Sequence, residues 1–170
     1  MAAATRRSSG TPVASHVPPV RGPVEKGCEM KTTGITTIDH APQVVAEWLN
    51  FLQEDLGWRD RGRAYLLLRE TLHAVRDFLT VDEAADLSAQ LPLLIRGIFF
   101  DGWVPAKTPA KLRSVDDFLD RVMAQFSNDP PIEPDVAVAS VFSLLRRQVS
   151  AGEYHQVAWA MRKPLRDLWM

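Results

Sequence analysis

Cysteine is almost absent from this chain: Cys28 stands alone among 170 residues. One cysteine excludes an intrachain disulfide and a cysteine-based zinc cluster, and it fits a reducing compartment. A lone thiol in a mobile segment lacks the neighbours that lower a thiol pKa, so Cys28 offers little as a nucleophile. No apolar run reaches the ~20 residues that a membrane helix needs. The first residues have no continuous apolar core of the signal-peptide kind. They are basic, with no acid before Glu25, but MAAATRRSSGTPVASHVPPV shows no amphipathic face of a transit peptide. A strong net charge is missing too, at −1 overall, so no global field draws the chain to nucleic acid or to an anionic membrane. A glycine-rich phosphate loop is absent, and no serine, histidine and acid can be assembled into a nucleophile–base constellation by spacing. No enzyme activity and no cofactor is therefore implied.

What is there is helical punctuation. Residues 1–35 are rich in Ala, Ser, Thr, Gly and Pro and hold little apolar surface, which predicts a disordered extension. Residues 1–34 carry five bases against two acids, a balance of +3 that leaves −4 for the remainder. Met30 opens MKTTGITTIDHAP, which reads as the true initiator, with residues 1–29 an extension or a misassigned start. Asp39 is expected to cap a first helix that ends at Leu56 before Gly57. Asp60 should cap a second, Arg61 to Leu79. Thr80 and Glu83 have capping-box spacing and open a third, in which Pro92 predicts a kink or a split at Gln90–Leu91. Residues 104–113 read as a linker. Ser114 caps a fourth helix, Pro134 opens a fifth, and Ser150 with Glu153 repeats the capping box before a sixth that contains Pro164.

The two capping boxes lie 70 residues apart, and that offset aligns the rest without a gap. Trp48 meets Phe118, Leu52 meets Val122, Leu68 meets Val138, Leu72 meets Phe142, Val75 meets Leu145 and Leu79 meets Val149. Leu87 meets Val157, Leu91 meets Met161, Ile95 meets Leu165, Phe99 meets Trp169, and Arg76 and Arg96 meet Arg146 and Arg166. This predicts an all-α domain: a six-helix bundle of two three-helix units, 36–103 and 114–170, related by a pseudo-twofold axis. One unit of ~55 residues would be marginal alone, so pairing should complete the core.

A set of short motifs carries a resemblance. Gly57-Trp58, Asp60-Arg61, Arg63-Ala64-Tyr65, Leu72-His73, Arg76-Asp77, Gln90-Leu91-Pro92, Ile95-Arg96-Gly97, Gly102-Trp103 and Ser150-Ala151-Gly152-Glu153 resemble a bacterial family of small helical proteins. That family is known as domain of unknown function 2267, and the resemblance runs from about Met30 to Trp169. It implies a cytoplasmic bacterial all-helical protein and brings no catalytic residues. The chain departs from the family at Met161-Arg162, where a Leu-Pro pair is usual; its proline comes later, at Pro164, which predicts a displaced bend.

Several residues could carry a site. Glu70 and His73 have the Glu-x-x-His spacing of di-iron bundles, but such sites need a second pair, and the offset places Ser140 and Ser143 there. With Asp77 they fall opposite the apolar arc, as an exposed polar face with a local carboxylate–imidazole contact. Arg59, Arg61 and Arg63 precede the second helix. They suit an anion or nucleic-acid phosphate at its N-terminus, or else pairing with Glu54 and Asp55; the acidic balance of the domain counts against nucleic acid. Arg96 and Arg166 fall in what reads as the last turn of each third helix, where a cation suits the dipole, or line a cleft between the units. Phe100 and Trp103 close the core or line a partner groove. Trp159 lies off its helix's apolar arc, packing on the other unit or marking an interaction surface. The leading expectation is a non-enzymatic interaction module for a protein partner or a second copy. The alternative is a small-molecule or metal site between the units. A flat, dry seam between the units with Trp159 exposed would favour the first, and a convergent buried polar cleft at that interface the second.

Overall fold

The computed structural model describes residues 32–110, 114–126, 129–161 and 163–169, side chains of 163–165 excepted. The expected extension with Cys28 and Met30, the end of the linker at 111–113 and the packing of Leu165 lie outside the described residues. No strand occurs among the described residues. A four-residue turn, α1 (Thr36–Asp39), leads into α2 (Ala41–Leu56) and α3 (Arg61–Phe78). Then come α4 (Val81–Gln90), α5 (Leu93–Phe100), a 3-10 turn at Pro105–Lys107 and α6 (Val115–Met123). The chain continues with α7 (Pro134–Gln148), α8 (Ala151–Ala160) and α9 (Lys163–Trp169).

Most of the sequence punctuation acts as its chemistry dictates. Gly57 ends α2 at φ +64°, a left-handed conformation that a Cβ would strain. Asp60 accepts from the amides of Gly62 and Arg63 and so starts α3. Thr80 and Glu83 form the full reciprocal box at α4, and Ser114 with Asp117 forms another at α6. Two caps differ from expectation. Asp39 ends α1 instead of capping α2. Its carboxylate accepts from the Thr33 and Gly34 amides and the Thr33 hydroxyl, and these bonds hold its pKa below the ordinary value. Ser150 accepts from the Glu153 amide, but Glu153 does not return the bond, and one of its oxygens is buried without a partner.

Each expected third helix is broken in two, so eight helices of seven residues or more stand among the described residues in place of the expected six. Leu91 and Met161 both leave the helix in extended conformation, and α5 and α9 start at residues 93 and 163, the same register. The bend is therefore not displaced. Pro92 stands at the N-cap of α5 and Pro164 in the first turn of α9, and both positions need no donated amide, so either proline tolerates a helix start there.

The helices close around one core. Its largest fully buried side chains include Trp48, Leu72 and Phe99 from the first half and Phe118, Phe142 and Leu144 from the second. Within the halves, α2 packs on α3 as α6 packs on α7, α3 on α5 as α7 on α9, and α2 on α5 as α6 on α9. Across them, α2 packs on α7 and α6 on α3, while α3 meets α7 and α4 meets α8. The Phe78–Phe118 contact, 5.5 Å between centroids, lies on this seam. Burial of each such side chain stabilises by about 1.5–3 kcal/mol.

Candidate functional site

The polar stretch of α3 is not an exposed face. His73 is 8% exposed, and its Nε2 donates to the carbonyl of Ile98 at 2.7 Å. Burial, with Arg76 and Arg69 nearby, lowers its pKa and keeps the ring neutral. Glu70 pairs with Arg69 at 2.6 Å instead of with His73. Arg76, 4% exposed, donates to the carbonyls of Phe99 at 2.7 Å and Asp101 at 2.9 Å, and to Asp77 at 2.8 Å. Asp77 also binds Arg121 of α6, and its carbonyl accepts from the Ala110 amide. Helical periodicity puts Glu70, His73 and Asp77 opposite the apolar stripe of α3. It missed that α5 and the 104–110 segment fold back over them. The cluster is spent on tying down the C-terminus of α5. Among the described residues no group of three or more His, Cys, Asp or Glu could hold a metal ion.

Arg96 and Arg166 also face backbone, and not as placed above. The helix breaks put each in the first turns of α5 and α9. Arg96 reaches back to the carbonyls of Ser88 (2.8 Å), Ala89 (3.1 Å) and Leu91 (3.2 Å), the open C-terminus of α4. Arg166 does the same for Ala158 and Met161, both at 3.3 Å, closing α8. Terminal carbonyls without intrahelical partners take cations well. The rings of Phe100 and Trp103 lie 5.1 Å apart and tilted to one another, half-buried against the core. Trp159 is 67% exposed and lies under the Arg166 guanidinium at 3.9 Å. The centre of the seam between the halves is apolar, with polar crossings at its rim, among them Ser140 to Asp55 at 2.6 Å.

A groove of about 870 Å³ runs between the Thr80–Glu83 corner, Ala106–Ala110 and Met161. Glu83 and Lys107 are its ionisable lining groups, and Glu83 is engaged by the Thr80 amide. The end of the bundle near Arg63 is richer. Arg61 binds Asn50 and Gln53 (3.4 Å to Gln53), and Arg63 binds Asp129 at 2.7 Å while its guanidinium lies 4.3 Å over Trp58. Neither arginine pairs with Glu54 or Asp55, as the sequence suggested; the amides of α2 stand closer, and Asp55 already accepts from Ser140. The backbone of Arg59 is held by Gln53, whose side-chain amide donates to its carbonyl at 2.9 Å.

Two grooves flank the Arg63–Asp129 pair. One, about 420 Å³, is lined by Asp55, Leu56, Trp58, Pro130, Pro131, Ile132, Glu133, Val136 and Ala137. The other, about 300 Å³, is lined by Asp60, Gly62, Leu66, Gln125 and Phe126. Under the offset of 70, Gly62, Leu66, Gln125 and Phe126 correspond to Ile132, Val136, Asp55 and Leu56. Four lining residues of each groove are thus 70 positions apart in the sequence, and they differ in content. Ile132 replaces a glycine and is 100% exposed; Val136 is 49% exposed.

Residues 45–168 match a family described as an uncharacterized conserved protein, DUF2267. The chain belongs to that family. No curated protein matches it. The DUF2267 match spans α2 to α9, including both grooves and both arginine corners. No helix among the described residues is long and apolar enough to cross a membrane. Pro134 marks a helix start in the sequence, and Ile132, two residues before it, belongs to no apolar stripe. The available signal was an apolar residue held in a proline-stiffened loop.

Proposed function

We propose that this DUF2267 protein is a non-enzymatic helical interaction module that docks another protein at the bundle end around Ile132. One observation carries the reading. A large aliphatic side chain stands wholly in water, beside a groove, on a loop whose backbone three prolines restrict. A stiff loop loses little entropy on binding, which favours such a residue as an anchor. The apolar seam and the exposed Trp159 favour the same class of function. A ligand cleft at Arg96 and Arg166 finds no support, because both guanidinium groups are committed to backbone carbonyls.

We also propose that the domain arose by tandem duplication and has pseudo-twofold symmetry. The matched helix pairings, the twin arginine corners and the equivalent grooves support this. A bacterial, cytoplasmic setting is proposed from the motif resemblance. The interaction reading is tested by affinity purification from the native host with wild type and Ile132→Ser in parallel. A protein recovered with wild type and lost with the variant is expected. Recovery of the same set by both sinks the reading.

A further inference from the structure

We infer that the docked partner presents a short peptide segment with a large aliphatic or aromatic side chain flanked by lysine or arginine. This rests on the interaction reading above and specifies its ligand. The apolar part meets Ile132, Val136 and the groove they border. The basic part follows from the charges facing that groove from every side. Asp55 comes from α2 and Asp129 and Glu133 from the loop, against Arg63 from α3; Asp135, two residues beyond Glu133, adds a further acid in the first turn of α7. The Arg63 charge is already matched by Asp129, and Asp55 accepts from Ser140. The carboxylates of Glu133 and Asp135 have no hydrogen bond or ion pair among the described residues.

Local stability does not explain the loop. Asp135 suits the α7 N-terminus, but Glu133 occupies the N-cap and makes no cap bond, where Ser, Thr or Asp would serve better. Ile132, Glu133 and Asp135 correspond to Gly62, Arg63 and Tyr65 of the first half. One groove of the pair thus carries an exposed apolar anchor with acids beside it, and the other does not. Those acids repel phosphate backbones and anionic membranes, which leaves a basic peptide as the complementary ligand.

The test pans a random linear peptide library on phage against the full chain. Ile132→Ser and the double variant Glu133→Lys/Asp135→Lys serve as counter-screens, each first shown to melt as wild type does. Ile132 is wholly exposed, so its replacement leaves the core intact. Wild type should enrich peptides with an aliphatic or aromatic residue flanked by Lys or Arg. A synthetic copy of the enriched sequence should bind either variant tenfold or more weakly and lose affinity with added salt. Binders that need Ile132 but carry no basic bias overturn this proposal and leave the interaction reading standing. Basic binders indifferent to the charge reversal overturn it as well. Absence of any Ile132-dependent binder sinks both. Dimerisation by sedimentation that Ile132→Ser abolishes makes a second copy the occupant and overturns the basic-peptide assignment.

Discussion

The two halves solve one problem at the same place with different side chains. The last turn of α5 leaves the Phe99 carbonyl without a helical partner, and Arg76 from α3 satisfies it. The equivalent carbonyl of α9 belongs to Trp169, and Tyr154 from α8 donates to it through its hydroxyl. Position 84, the counterpart of Tyr154, is alanine, which leaves the first half open for a buried arginine. In the second half the tyrosine ring fills that volume, stacked 5.0 Å from Trp169, and Arg146 is turned outward, 6.0 Å over the ring. The backbone demand is common to both halves and the residue that meets it is not. A buried charge in one half is therefore weak evidence for a site when a neutral hydroxyl does the same work in the other.

The largest effects should strike the shared core. Phe142→Ala, which removes a ring touching Phe118 and Trp169, is expected to cost about 3–5 kcal/mol, and Leu72→Ala at the equivalent position about 2–5 kcal/mol. Both should unfold in a single transition in urea. Two separated transitions in either variant would break the comparison at its root, because each half would then hold a core of its own. Next come the two carbonyl clamps. Arg76→Met should cost about 3 kcal/mol, since it also orphans the Asp101 carbonyl and weakens the hold on Asp77. Tyr154→Phe should cost about 1–2 kcal/mol, and Arg146→Met should stay within about 0.5 kcal/mol. Denaturation midpoints with unchanged slopes measure all three. A large loss at Arg146 would show that the outward arginine is structural after all.

These contrasts also mark what the sequence could tell. The apolar stripes, Gly57, Asp60, Thr80 with Glu83 and Pro134 were legible because each acts through its own helix. Arg96 and Arg166 were found but misplaced, since whether a proline kinks a helix or starts a new one depends on the turn before it. Glu70, His73 and Asp77 were read as solvent-facing because helical periodicity knows one helix at a time. The cover over them comes from α5 and from residues more than twenty positions away. Ile132 was missed for the opposite reason. An isolated apolar residue between prolines belongs to no stripe, and only its lack of any cover in three dimensions sets it apart.

The smallest expected effects are pH dependences, and they carry opposite signs in the two halves. Burial lowers the His73 pKa, so between the folded value and the unfolded value of about 6.5 the unfolded chain binds the extra proton. Stability from this group is fully present above about pH 6.5 and is lost as the pH falls through the folded value. His73→Gln should flatten that decline, because the counterpart residue is Ser143 and the second half has no matching histidine. Glu153 behaves the other way. Burial, with Asp86 adding repulsion, raises its pKa, so its favourable state is the protonated one, present at low pH and lost as the pH rises through the folded value. Glu153→Gln should therefore stabilise the protein at neutral pH, while Glu83→Ala, which breaks the complete capping box of the first half, should destabilise it. Thermal midpoints of the three variants from pH 5 to 8 decide the matter. Equal and same-signed responses at Glu83 and Glu153 would mean that the second capping box closes in solution as fully as the first.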